Sequence, residues 1–176
     1  MQTLDWIVSV LKTTPDRWLN LAEMLPAGLM NARPAPLEWS AAECLGHLAN
    51  LEVAVFQFRV QAILAGKDFP AFDPVTQGSA LDNNLSPLTL AWKFNQQRRE
   101  GLALIDKLLE SDMDKKSRHA ELGVVTLSEL LHEWAAHDLV HTMQAERALM
   151  QPFIRGCGPW KIYFEEHLIS GGTRAP

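Results

Sequence analysis

Thr126 to Met150 reads TLSELLHEWAAHDLVHTMQAERALM, and its reading decides the fold. Thr126-Leu127-Ser128-Glu129 is a capping box. The threonine hydroxyl can accept from the backbone N–H three residues on, and the glutamate can reach back. The spacing predicts a helix from here to about Met150, with Pro152 marking its end. His137 and His141 stand four apart and share one face, one turn from each other. Steps of three and four from them meet Leu127, Leu130, Trp134, Gln144, Ala145 and Ala148, so this face points to the core. A buried imidazole needs partners for both nitrogens; a metal satisfies one and a nearby acceptor the other. The sequence between the histidines is HDLVH. The glutamate of HExxH is missing, which excludes the zinc-protease reading.

A second capping box, Ser40-Ala41-Ala42-Glu43, predicts another helix running to about Ala65, where Gly66 stops it. Its stripe is Leu45, Leu48, Leu51, Val55, Phe58, Ala62 and Ile63. His47 lies on an inward face with Cys44, Leu51 and Val55, near the capped end. The residues alone leave two readings of His47, His137 and His141: three ligands of one metal, or core histidines bonded to side chains.

The rest of the chain is also helical in pattern. Leu4, Ile7, Val8 and Leu11, then Trp18, Leu19, Ala22 and Leu25, predict a first helix in two pieces broken near Pro15. Asn31–Trp39 is a proline-bearing connector. Residues 66–85 form the longest irregular segment, placed to cover a site. Ser86-Pro87 opens a helix with Leu88, Trp92, Asn95, Arg99, Leu102, Ile105 and Leu109 on one face, ending near Ser111. A polar stretch with Gly123 follows. Trp160 to Leu168 is read as a short terminal helix. Strand signals are poor. The expectation is an all-α protein, a single domain over 1–176, built as a four-helix bundle with one long connection and a short C-terminal helix.

The chain has 176 residues, 47% apolar and 21% charged, with net charge −5 and pI about 5.6. There is no basic stripe, so no nucleic-acid partner is expected. No apolar run approaches a membrane span and no signal peptide is read, so the expected location is cytoplasmic. Two cysteines cannot form a disulfide framework.

Several other residues are candidates near the histidines. Cys44, one turn before His47, could be a fourth ligand, though a small buried hydrophobe is the simpler reading. Glu52 is turned away from the histidine face but could reach a neighbouring helix as an acceptor behind the ligands. Gln144 could line the pocket. Asp138 should point aside, to solvent or a helix neighbour. Arg98 and Arg99 are expected at the surface, either able to meet an anionic substrate. His119, His132 and His167 are read as surface or local structural residues, and Cys157 as unreactive. No general base or nucleophile is assigned.

Two longer runs carry a resemblance. Arg33-Pro34, then Glu38-Trp39-Ser40 through Glu43, His47-Leu48 and Glu52, resemble the "RP…WS…E…HL…E" segment of the DinB family. Thr126 to Glu129 with His137-Asp138, His141 and Gln144 resemble its "T-x-x-E … HDxxHxxQ" segment. Arg118-His119 and Gly123 fit its lead-in. The resemblance covers nearly the whole chain. It implies a four-helix bundle, usually a homodimer, and a divalent transition metal (zinc, nickel or iron) on three histidines that match His47, His137 and His141. It also implies a metal-dependent enzyme. Several family members are thiol S-transferases using bacillithiol or mycothiol, one of them a maleylpyruvate isomerase, and others stand beside sulfoxide synthase domains. This chain is too short for the fused second domain of those synthases. The expected partner is a small-molecule thiol or electrophile. Three neutral ligands leave coordination positions open, as in catalytic rather than structural sites, so a transferase or hydrolase is expected. The competing reading is a non-catalytic metal- or ligand-binding stress-response protein.

Overall fold

The computed structural model describes residues 2–72 and 85–169. Helix α1 spans Gln2–Met24, and a single turn, α2, spans Ala27–Met30. Helix α3 (Ala41–Leu51) continues through a π-helical segment, Glu52–Gln57, into α4 (Phe58–Leu64). Helix α5 is Pro87–Ile105 and α6 is Leu127–Gly156. α1, the α3–α4 unit, α5 and α6 pack on one another as a four-helix bundle. Both capping boxes form: Ser40 accepts from Glu43, and Thr126 from Glu129, with the return bonds present. Most of the long connection after Gly66 lies outside the described residues. No helix among the described residues is long and apolar enough to cross a membrane.

The structure corrects several expectations. α1 runs unbroken through Pro15. Proline removes the N–H that would bond the Leu11 carbonyl. Arg98 Nη1 supplies a donor instead, 2.9 Å from that oxygen. The freed carbonyl is satisfied from another helix, so α1 need not break. α6 likewise passes Pro152 and ends at Gly156, with Ile154 buried beyond the proline. α5 ends six residues before Ser111; a 3-10 turn, Glu110–Asp112, follows. The polar stretch after it holds a hairpin. Strand β1 (Lys116–His119) pairs antiparallel with β2 (Gly123–Thr126), and Gly123 turns the chain at φ +80°. Phe69, from the first part of the long connection, bridges to His119. The expected terminal helix is two 3-10 segments, Gly158–Tyr163 and Glu165–His167.

The inward face of α5 also differs by about one residue from the expected stripe. Leu90, Ala91, Phe94, Asn95, Arg98, Gly101 and Ile105 are buried, while Leu88 and Trp92 are exposed. A buried arginine hides this face from a search for apolar periodicity. In the second unit, Phe58 is exposed although it was expected inside. The π turn inserts extra backbone before it and so shifts the register of the face.

Arg98 is fully buried, against the surface placement expected of it. Its guanidinium donates to both oxygens of Glu52, at 2.7 and 2.8 Å, and to both of Asp138, at 2.6 and 2.9 Å. Trp134 Nε1 also donates to Glu52, at 3.3 Å. With the Leu11 carbonyl, this cluster ties α1, the π turn, α5 and α6 to one side chain. Arg99 is exposed, as expected.

Candidate metal centre

The two capped helices carry His47, His137 and His141 to one place. The capping boxes fix where α3 and α6 begin, which sets the angular position of every later residue on each helix. One ring nitrogen from each histidine lies within 4.8 Å of the others. His47 Nε2 and His137 Nε2 stand 3.3 Å apart. Zinc–nitrogen bonds of about 2.0–2.1 Å in tetrahedral geometry separate two ligand nitrogens by roughly 3.3 Å. The spacing therefore fits a pair of imidazoles on one ion.

The His141 tautomer fits as well. His141 Nδ1 lies 2.9 Å from Gln144 Oε1. An amide oxygen only accepts, so Nδ1 carries the proton and Nε2 keeps a lone pair. Burial, with the neighbouring His141, lowers His47 to about 4. Burial, with His141, His47 and Arg98 adding to it, lowers His137 to about 3. Burial also lowers His141, against its hydrogen bond to Gln144 and the charge of Asp138. All three rings are neutral at pH 7 and can donate lone pairs. His137 Nδ1 is buried and has no hydrogen-bond partner among the described residues.

Aromatic rings enclose the cluster. Trp39 lies 4.9 Å from the His47 ring and stacks on His141 at 5.7 Å and 23°. Phe56 meets His137 edge-on at 5.2 Å, and Phe72 meets His47 at 6.4 Å. The sequence reading missed these rings. Trp39 has a local signal, because it stands directly before the N-cap Ser40, a position that packs back on its helix. Phe56 has none, since the π turn sets where it points.

The other candidates separate cleanly. Cys44 is buried and outside the cluster, and burial pushes its thiol up to about 12. It packs as a hydrophobe. Gln144 touches His141 directly. Glu52 accepts hydrogen bonds from Arg98 and Trp134. Burial raises its carboxyl above the usual range, against the pull of Arg98. Asp138 turns inward to Arg98 rather than to solvent. His119 is buried at the hairpin tip. His132 and His167 lie at exposed positions and bond locally, His132 Nδ1 to the Ser128 carbonyl.

Two outcomes are expected from this geometry. Gln144→Ala removes the acceptor that fixes the His141 tautomer. Zinc affinity should drop about 10–100-fold, as for loss of other partners behind metal ligands; titration against a competing chelator reads it. The second outcome concerns pH. In metal-free protein the depressed histidine pKa values hold the folded state to fewer protons than the unfolded chain, whose histidines titrate near 6.5. Stability is therefore full above about pH 6.5 and is lost as pH falls through about 4. Urea midpoints of chelated protein between pH 7 and 4 should show this slope, and His137→Leu should flatten it.

A family model described as the DinB superfamily matches residues 11–145. Among solved structures, the chain resembles YfiT from Bacillus subtilis, described as a probable metal-dependent hydrolase with an unusual four-helix bundle topology. The TM-score is 0.73 at 16% identity, covering 87% of this chain and 89% of that one. No curated protein matches the sequence.

Proposed function

The chain belongs to the DinB superfamily, and on that premise we propose that it is a metal-dependent enzyme, a hydrolase or thiol S-transferase, acting on a small molecule at His47, His137 and His141. The observation that carries this reading is the convergence of three neutral ring nitrogens within 4.8 Å, with no fourth protein ligand in the group among the described residues. A closed structural zinc site would normally have four protein ligands. His47, His137 and His141 would hold a divalent ion, which would supply Lewis acidity toward a water or a thiol at neutral pH. The metal-dependent hydrolase description of YfiT supports this reading.

The protein's own residues have separable tasks. His47, His137 and His141 hold the ion through lone pairs that burial keeps unprotonated. Gln144 orients the His141 ring. Trp39, Phe56 and Phe72 shield the rings from water and offer an apolar wall to a small substrate. Zinc, nickel and iron all suit three imidazoles.

The reading is tested by loading purified protein with zinc, nickel or ferrous iron. Each form is then assayed against a panel of activated esters and amides, and against electrophiles with small thiols. Turnover that needs the metal and vanishes in His47→Ala supports it. Tight metal binding with no turnover across both panels would replace it with the non-catalytic binder.

A further inference from the structure

His119 closes the hairpin tip with its Nδ1. That atom accepts from the backbone N–H of Glu121 at 3.1 Å and of Leu122 at 3.2 Å. A ring nitrogen that accepts two N–H groups bears the lone pair, so the proton of the neutral ring sits on Nε2. Nε2 lies 3.2 Å from Nη2 of Arg59, and a guanidinium only donates. Two donors thus face each other at a side chain that is 5% exposed. Burial and the charge of Arg59 both lower the His119 pKa, which keeps the ring neutral and the conflict in place. Arg59 is half-buried and held in this position. Its guanidinium lies 5.4 Å over the Phe69 ring, and Phe69 meets His119 edge-on at 5.5 Å. The acidic groups nearby are Glu133, which acts on Arg59, and Glu121, which acts on His119. Both act through charge, with no side-chain hydrogen bond to either among the described residues.

We infer that Arg59 and His119 form an oxyanion subsite that binds a carboxylate of the substrate. One carboxylate oxygen accepts from His119 Nε2–H and from Arg59 together, which removes the donor–donor conflict and makes both bonds charge-assisted. The subsite faces the same connection as the histidines. Phe69 packs at Arg59 and His119, and Phe72, three residues on, packs at His47. Three residues of chain span at most roughly 10 Å. On α6, Glu133 lies one turn before His137, and Phe56, three residues before Arg59, touches the His137 ring. A molecule anchored at Arg59 would extend along this connection toward the histidines. The inference takes the histidines as the reactive end from the proposed function, but the subsite is read out independently of it.

The test uses full-length, zinc-loaded protein with ¹⁵N-labelled histidine. Two-bond ¹H–¹⁵N spectra should first show His119 as the Nε2–H tautomer. Sodium succinate is then titrated, with inorganic phosphate and sodium chloride at matched ionic strength as separate arms. The expected result is a saturable shift of His119 Nε2 with succinate. Its dissociation constant should rise about tenfold or more in Arg59→Gln and less in Arg59→Lys, as loss of a charge-assisted bond requires. Metal content should be unchanged in both variants. The inference is overturned if succinate gives no saturable shift at His119, if Arg59→Gln leaves the shift as it was, or if chloride reproduces it. Binding of phosphate without succinate overturns the carboxylate assignment. Failure of the metal reading appears separately, as protein that takes up no zinc.

Discussion

His141→Ala is expected to lower zinc affinity by more than the roughly 10–100-fold that losing a partner behind a ligand costs, because it removes one of three donors outright. His141 is the best-defined of the three. Gln144 fixes its tautomer, Trp39 stacks on its ring, and it is 6% exposed. The change also deletes a buried ring and leaves a cavity, so some loss of stability accompanies it. His141→Gln, which keeps more of the volume, separates the two effects. Competition titration should show weak zinc binding in both variants, while the urea midpoint of metal-free protein falls further for the alanine. Wild-type affinity in either variant would remove His141 from the ligand set.

Arg98→Met should have the largest effect on folding. It leaves the carboxylates of Glu52 and Asp138 buried together without their counter-charge, and the Leu11 carbonyl without its donor. Against burial, the two carboxylates hold the guanidinium pKa above its ordinary value, the mark of a tightly bound cation. Breaking a buried pair costs about 3–5 kcal/mol, against a total stability of about 5–15 kcal/mol for a domain. The melting temperature should fall by roughly 6–20 °C, at about 2–4 °C per kcal/mol for a chain of this size. Arg99→Met, one residue away and exposed, should change stability by no more than about 0.5 kcal/mol. Adding Glu52→Gln and Asp138→Asn to Arg98→Met should recover part of the loss, since the repulsion between the carboxylates is then gone. Equal melting temperatures for the Arg98 and Arg99 variants would contradict the account.

These two predictions also mark where the sequence could be read and where it could not. Both capping boxes and the inward face of α6 are local patterns, and they appeared where expected. His137 and His141 share a face by spacing alone. Their meeting with His47 depends on the packing of two helices, which spacing does not determine; the DinB resemblance brought that meeting within reach. Arg98 was misplaced because an arginine on a core face reads as a break in apolar periodicity. Its partners did carry a signal. Pro15 leaves the Leu11 carbonyl without a helical donor, Glu52 sits between Leu51 and Val55, and Asp138 lies on the stripe of Trp134 and Ala135. One acceptor without its donor and two acids on core faces together call for a buried cation. The π turn had no such signal. It arises within a segment whose residues suit an α-helix equally well, and π segments often accompany functional sites. Here it sets Glu52 on Arg98 and Phe56 on His137. The hairpin was missed because Lys116 to Thr126 is short and mixed in polarity, and the bridge at its edge comes from Phe69, far away in sequence.

The most direct test of the central claim is elemental analysis of untagged protein, before and after dialysis against a chelator and after reloading with zinc. About one divalent transition-metal ion per chain is expected, lost to the chelator and restored by reloading, with the uptake abolished in the His137→Ala variant. Wild-type protein that neither carries nor takes up metal, or a His137→Ala variant that loads as fully as wild type, would contradict it.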